Sequence, residues 1–493
     1  MYNSIIRLIE SKGYEAFIEG ETARDIYLKR QPKRHYVAVA ATFEKLQNDL
    51  KDFIIHTDPH LTVITLRYKN NDYILRPLRV IKLDHTYCSY RYTDSFEKDA
   101  QHRGYSIDCL YYNPINDSWL NFHNAKRDID DKVVRLINDP YESILEAKIR
   151  LLSGPVLVGL LGDGWKLSNE THKAITDYHL KIVMAHSAQI YSEMYKLLTE
   201  VEVPSRVFNI LRSTRMLEPL FPELLLGIGL GQTNKGTDGL DLYKHIMFAL
   251  DSVKIKQSNC LIIRLGALLH DIAKPHTQVE TDSGTHFYSH EIVGATLSER
   301  ILYRWGFNKA ISKKVSILVK NHLFDAWARI PTKTIKKLIA RVGPENIHDL
   351  IDLRIADRHG TGRKDISMAK VHKYRARVNK ELAKISPKQV KLNISELDIK
   401  KYIRFATETP DEAVPHIVAY LENKVIYGRV ANKTANLKRS IREINRIHCP
   451  LDKAHLFKTW AAILKGDEDT FEDGRLKCGV YCGFLCEQKK PKA

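Results

Sequence analysis

The stretch Leu265-Gly266-Ala267-Leu268-Leu269-His270-Asp271-Ile272-Ala273-Lys274-Pro275 decides how the second half of this chain is read. Its apolar residues recur at helical spacing and would bury one helix face. His270 and Asp271 then stand at that helix's far end, and Pro275 supplies a stop just beyond. An adjacent imidazole and carboxylate can both ligate an ion only where a helix bends or ends. More residues of the same chemistry lie on either side. His245 sits in the helical run Leu242-Tyr243-Lys244-His245-Ile246-Met247. His286, His290 and Glu291 fall in Thr285 to Glu291, His322 in Lys320-Asn321-His322, and Asp357 in Leu353-Arg354-Ile355-Ala356-Asp357. A lone histidine is more often a satisfied core residue than a ligand. A series of His and Asp in apolar helical contexts points instead to a divalent metal with water in its open positions. Such an ion lowers the pKa of its water and aims the hydroxide at phosphorus. Lys274 would stand near it, able to neutralise a phosphate oxygen.

The order of these residues resembles the HD superfamily of metal-dependent phosphohydrolases. The resemblance implies that His245, His270, Asp271 and Asp357 hold the metal, which could be Mn, Ni, Mg or Fe. It matches His286, His290 and His322 to additional histidines that hold a second metal or contact phosphate in many members. Lys274 and His290 are the expected catalytic side chains, and His286 and His322 the expected second-metal or phosphate contacts.

Upstream the pattern changes. Tyr2 to Lys12 reads as a helix ended by Gly13. Tyr36 to Ala40, Leu61 to Tyr68, Tyr73 to Leu78 and Tyr105 to Tyr112 read as strands, the third following a turn-like Lys69-Asn70-Asn71-Asp72. From about Asp139 the chain turns helical almost throughout, punctuated at Gly162 to Gly164, Pro219 to Pro222, Gly227 to Gly239 and Gly360 to Gly362. Gly227 to Asp241 is the best linker candidate. The fold class expected is an α+β head with a small mixed sheet, followed by a long all-α body.

From about Gly13 to about Asn445 the chain also resembles the class II tRNA nucleotidyltransferase and poly(A) polymerase family. Glu19-Gly20-Glu21-Thr22-Ala23-Arg24-Asp25 stands where that family has its Gly-Gly-x-x-Arg-Asp turn. Lys29 to Thr42 follows the strand bearing its two metal-binding Asp residues. Lys132 to Arg135, Asp139-Pro140, Phe221 to Leu224 and Leu392 to Ile394 match later segments. The departures carry more information. Nucleotidyl transfer needs carboxylates to hold two Mg²⁺ ions. The family's Asp-x-Asp positions read Arg34 and Tyr36, and a third acidic position reads Ile74. The Arg-Arg-Asp motif reads His102-Arg103-Gly104, and Glu-Asp-x-x-Arg reads Glu146-Ala147-Lys148-Ile149-Arg150. Glu21 adds a side chain and a negative charge where triphosphate would sit. Arg24, Asp25, Arg103 and Arg150 remain as a vestigial nucleotide site, with the retained Arg24 and Asp25 expected to be structural and to fix the turn. Arg34 would stand in the vacant metal site. Asp25 and Asp108 are the nearby acids left to an active head.

The 493 residues carry 77 Lys and Arg against 59 Asp and Glu, a formal net charge of +18. That excess favours a polyanionic partner, with RNA or DNA the natural candidate; the family resemblance implies RNA, tRNA or RNA 3′ ends in particular. Arg363 to Lys391 holds ten basic residues and only Asp365 and Glu381 against them. A basic run with a single aromatic, Tyr374, suits phosphate-backbone contact, through Lys370, Lys373, Arg375 and Arg377. No run approaches about eighteen apolar residues without a charge, which excludes a membrane-spanning helix as an expectation. The charged first twenty residues do not read as a secretory signal. Seven scattered cysteines suit a reducing cytoplasm. Cys478, Cys482 and Cys486 could align on one helix face but lack a fourth metal ligand.

The expected layout is a head over 1–138 that does not polymerise, a neck over 139–230 and an HD domain over 240–365. A basic helical body over 366–445 and a tail over 446–493 complete it. The expected activity is that of an HD-type phosphohydrolase on RNA ends or nucleotides. Active nucleotidyl transfer with divergent ligands and a non-catalytic RNA-binding role are the alternatives.

Overall fold

The computed structural model describes residues 2–59, 62–83, 88–231, 240–282, 284–324, 330–362, 368–385 and 392–402. It also describes parts of 414–445 and short strands at Phe471–Glu472 and Arg475–Leu476. Two compact units divide the chain: residues 1–322 with 356–366, and residues 323–355 with 367–493.

The first unit begins with a mixed sheet. Its strands are β1 (Ala16–Glu19), β2 (Tyr36–Val39), β3 (Ile54–Asp58), β4 (Val63–Tyr68), β5 (Asn71–Pro77), β8 (Leu110–Asn113) and β9 (Ser118–Asn121). A separate hairpin is formed by β6 (Arg79–Leu83) and β7 (Cys88–Tyr92). The sheet order is β3-β4-β5-β2-β1-β8-β9. Every neighbouring pair is antiparallel except β2 and β5, which run parallel with Tyr36 opposite Ile74. Short runs of β-branched and aromatic residues form these strands, and one face packs Ile18, Val37, Val39, Leu66 and Leu75 out of water. Tyr105 to Tyr112 is not one strand. Ser106–Asp108 closes a 3₁₀ turn because the Ser106 hydroxyl donates to Asp128 and Asp108 receives Arg24, so pairing starts only at Leu110.

Helices follow, including Arg150–Leu161, Ser187–Glu200, Pro204–Ser213, Leu242–Ser252, Cys260–Leu269, His290–Arg304 and Lys309–Asn321. The body is less purely helical than its sequence pattern suggests. Gln278–Thr281 and Gly284–Phe287 pair as an antiparallel hairpin inside it. Arg264, fully buried, joins two helix ends: it donates to the carbonyls of Val253, Leu198 and Val201, groups that helix termini leave unpaired. The stretch 227–241 does not separate the two compact units. Its described ends bond to each other, Gly229 N–H to Asp241 and Leu242 N–H to Leu230 O.

In the second unit the helix Ala369–Ile385 accompanies Thr332–Val342, with Lys336 and Lys384 both paired to Glu381. Ile394, Ile399, Val414, Ile417, Leu421, Leu437 and Ile441 form a further apolar cluster there.

Candidate metal centre and head pocket

Local sequence brings six side chains of the first unit to one point. His245 rides on Leu242–Ser252, whose N-cap Asp241 accepts a hydrogen bond from Lys244 N–H. His270 caps the C-terminus of Cys260–Leu269, and Asp271 follows it. His290 opens the helix His290–Arg304, His322 caps Lys309–Asn321, and Asp357 lies near the end of Ile347–His359. His270 and His322 thus sit at helix C-termini, where the backbone dipole favours positive charge. The four histidines, Asp271 and Lys274 are buried, while Asp357 keeps part of its surface in water.

Asp271 is the hub. Its Oδ2 lies 2.7 Å from Lys274 Nζ, 3.2 Å from His270 Nε2 and 3.4 Å from His245 Nε2. Its Oδ1 lies 3.2 Å from His290 Nε2 and 3.4 Å from His322 Nε2. Asp357 Oδ1 stands 3.4 Å from His245 Nε2 and 3.5 Å from His270 Nε2. Two ligand groups result, His245 with His270 and Asp271, and Asp271 with His290 and His322.

The donor set fits a divalent cation. His270, His290 and His322 each place Nδ1 within 2.9 Å of a backbone carbonyl, of Ala267, Phe287 and Val319 respectively. A carbonyl only accepts, so Nδ1 carries a proton and Nε2 is the ring atom turned inward. Nε2 of His290 and of His322 are buried and face Asp271 Oδ1 without a well-aligned hydrogen bond, a costly arrangement for a purely structural core. His245 Nε2 and His270 Nε2 approach to 3.1 Å. Burial works to lower His270, yet Asp271 and Asp357 outweigh it and hold that imidazole up at about 10. Burial likewise opposes ionisation of Asp271 and Asp357, but Lys274, His270 and His245 hold Asp271, and His245 and His270 hold Asp357, well below the usual carboxylate range. The centre is therefore a pair of carboxylates, Asp271 buried and Asp357 largely so, that attracts positive charge. Gly360 completes it: a Cβ there would lie 2.6 Å from His245 Cε1.

His286 does not join either group. It sits on the second hairpin strand opposite Val279 and stacks on Tyr288, ring centroids 5.4 Å apart and planes 14° from parallel.

The head holds a second polar site, a cavity of about 350 Å³. Each of its four carboxylates faces an arginine. Glu19 accepts from Arg76 Nε and Nη2 at 2.8 and 2.7 Å, and from Arg103. Asp99 accepts from Arg76 at 2.9 Å, Arg103 at 2.7 Å and the Tyr111 hydroxyl at 2.7 Å. Asp108 holds Arg24, an ion pair across the head rather than within the turn. Glu21 faces Arg34 Nη1 at 3.6 Å. Arg34 does not stand alone in a vacant site: its Nη2 reaches Glu200 of the neck at 3.0 Å. Arg150 donates to the carbonyls of Ser143, His102 and Arg103, tying head to neck. Glu19, Asp99 and Arg76 were not singled out from sequence. Arg76, two positions past Ile74 on a central strand, was the available signal.

Residues 16–135 match the poly A polymerase head domain, and residues 242–361 match the HD domain. The chain thus joins the two domains in one polypeptide, and its relatives are tRNA nucleotidyltransferases and poly(A) polymerases. It is 31% identical over 178 residues to the A-adding tRNA nucleotidyltransferase of Deinococcus radiodurans, a match covering 34% of this chain and 38% of that protein. It thus spans well under half the length of that relative. It is 23% identical over 357 residues to the CCA-adding enzyme of Bacillus subtilis, covering 68% of this chain and 84% of that one. The fold resembles the crystal structure of the Bacillus stearothermophilus CCA-adding enzyme in complex with CTP. The TM-score is 0.58 and the identity 17%, over 90% of this chain and 96% of the other.

Within the family's frame, the β2–β5 register sets Tyr36 directly opposite Ile74. The two positions that the sequence resemblance matches to metal carboxylates are therefore neighbours here, and neither is acidic. The basic run lies in the second unit. Lys370 and Lys373 are exposed on the helix Ala369–Ile385 and Arg377 is half-buried, whereas Arg375 is committed to an ion pair with Asp352. Residues 363–367 and 386–391 of that run, and Cys478, Cys482 and Cys486, lie outside the described residues. No helix among the described residues is long and apolar enough to cross a membrane.

Proposed function

We propose that this protein is a divalent-metal-dependent phosphohydrolase acting on phosphates at RNA ends, 2′,3′-cyclic phosphates included, or on nucleotides. One contrast carries the reading. The HD cluster turns the Nε2 atoms of His290 and His322 on a shared carboxylate, whereas the four carboxylates of the head cavity each face an arginine. His245, His270, Asp271 and Asp357 would hold one ion, and His290 and His322 would hold a second through Asp271. A bound divalent ion supplies Lewis-acid polarisation of phosphate and a water of lowered pKa. The chain's own residues do the rest. The Nδ1–H bonds to Ala267, Phe287 and Val319 fix ring orientation, so no reorganisation is needed when phosphate arrives. Lys274, held against Asp271, places a positive charge beside the site for a non-bridging phosphate oxygen. The net charge of +18 and the exposed Lys370 and Lys373 suit RNA, tRNA in particular, given the relatives' names.

A second reading is nucleotidyl transfer itself, favoured by the names of the relatives. It requires Glu19, Glu21, Asp99 or Asp108 to exchange an arginine for Mg²⁺. One experiment separates the two. Full-length protein is incubated with Mn²⁺, Ni²⁺ or Mg²⁺ and a panel of phosphoesters and RNA ends. In parallel it receives labelled CTP and ATP with a tRNA lacking its CCA end. Phosphate release lost on His270→Ala, without incorporation, is the expected result. Incorporation with no hydrolysis would replace the hydrolase reading with the transferase one.

A further inference from the structure

The hairpin beside the metal centre is an aromatic one. Thr285-His286-Phe287-Tyr288 ends two residues before His290, with Phe287 tied to the cluster and Tyr288 exposed beside it. The Phe287 carbonyl accepts from His290 Nδ1 at 2.8 Å. The Phe287 ring lies 5.5 Å from Lys274 Nζ, which itself touches Asp271. Tyr288 is 61% exposed and stacks nearly parallel on His286. Ile292 and Val293, in the next helical turn, are also exposed. Large apolar side chains concentrated in water at the edge of a buried polar centre mark a binding surface. The pair of near-parallel rings presents a flat face, and flat π-faces recognise nucleobases by stacking, with little preference among bases.

We propose that Tyr288, backed by His286, is a nucleobase-stacking subsite that delivers the terminal nucleotide of a substrate to the HD centre. This rests on the hydrolase reading and narrows it, because it selects nucleotides and RNA ends over phosphoesters without a base. Charge complementarity agrees. The base would lie against apolar rings while its phosphate meets Lys274 and the cation site. It also accounts for His286, whose place on the strand keeps it out of both ligand groups although its chemistry matches theirs.

The test is binding by the full-length protein in Mn²⁺, measured by calorimetry with AMP and with ribose 5-phosphate, which lacks the base. Wild type should prefer AMP by roughly 5- to 150-fold, the range one stacked base contributes. Tyr288→Ala should abolish that preference while leaving ribose 5-phosphate affinity unchanged, and Tyr288→Phe should keep it. Tyr288 is exposed, so truncation leaves the packed core intact, and an unchanged melting curve verifies this. Equal affinities for the two ligands in wild type would overturn the subsite, as would a preference that survives Tyr288→Ala. If that preference falls with Tyr288→Ala while no phosphoester is hydrolysed, the subsite stands and the hydrolase reading falls. Hydrolysis with no base preference has the opposite meaning.

Discussion

Replacing Asp271 by asparagine keeps the side chain's shape and removes its charge. Lys274, His270 and His245 face one of its oxygens within 3.4 Å, and His290 and His322 face the other within the same distance. The residue therefore belongs to both ligand groups, and both lose their carboxylate together. Changes to partners that merely orient a ligand cost about 10- to 100-fold in metal affinity. Losing a shared ligand should exceed that range, so Mn²⁺ affinity should fall by more than about 100-fold, or ~2.7 kcal/mol. A second effect appears without metal. Lys274 loses its buried counter-charge, and breaking a buried pair costs roughly 3–5 kcal/mol. Elemental analysis of purified protein, Mn²⁺ calorimetry and melting curves in chelator and in Mn²⁺ read these effects separately. Mn²⁺ should raise the wild-type melting temperature, since a ligand at 100 times its Kd adds about 2.7 kcal/mol. It should leave the variant unmoved. Asp271→Asn protein that binds Mn²⁺ as tightly as wild type would refute the shared-carboxylate reasoning. Wild type that neither contains nor binds metal would show the cluster to be a buried polar core.

Gly360→Ala should drive His245 from its position, because the added Cβ falls 2.6 Å from the ring, and metal content should drop; Gly362→Ala, at φ 74° and with its added Cβ 3.2 Å from Phe248, should cost stability without touching a cluster side chain. Asp99→Asn should lower the melting temperature, at roughly 3–5 kcal/mol for a broken buried network, yet leave metal content and hydrolysis as in wild type; loss of hydrolysis would place chemistry in the head. Reversing Lys370, Lys373 and Arg377 to Glu should weaken RNA binding and flatten the slope of log affinity against log salt by about two to three units. An unchanged slope would make that helix face merely solvated. Radiolabelled CTP or ATP should not enter a tRNA lacking its CCA end; incorporation abolished by changes at Glu19 or Asp99 would overturn the reading of the head.

Residue identity and local periodicity determined a good part of this protein. The apolar run before His270 reads as a helix because its face repeats every three to four residues, and a ligand placed at its end needs no long-range knowledge. The absence of carboxylates at Arg34, Tyr36 and Ile74 is equally a local fact, visible one position at a time. Tertiary structure decided partnership. Glu19 and Arg76 lie 57 positions apart, and no local pattern says that Arg76 would fill the head with its guanidinium and hold two carboxylates. The same holds for Arg24, which bonds Asp108 across 84 positions rather than its neighbour Asp25, since adjacent side chains on a helix point in different directions. Among five histidines of equal chemistry, the hairpin register alone set His286 apart and left the other four converging on Asp271. Periodicity encodes which face of an element is buried; which residue of another element meets that face depends on packing across the whole chain.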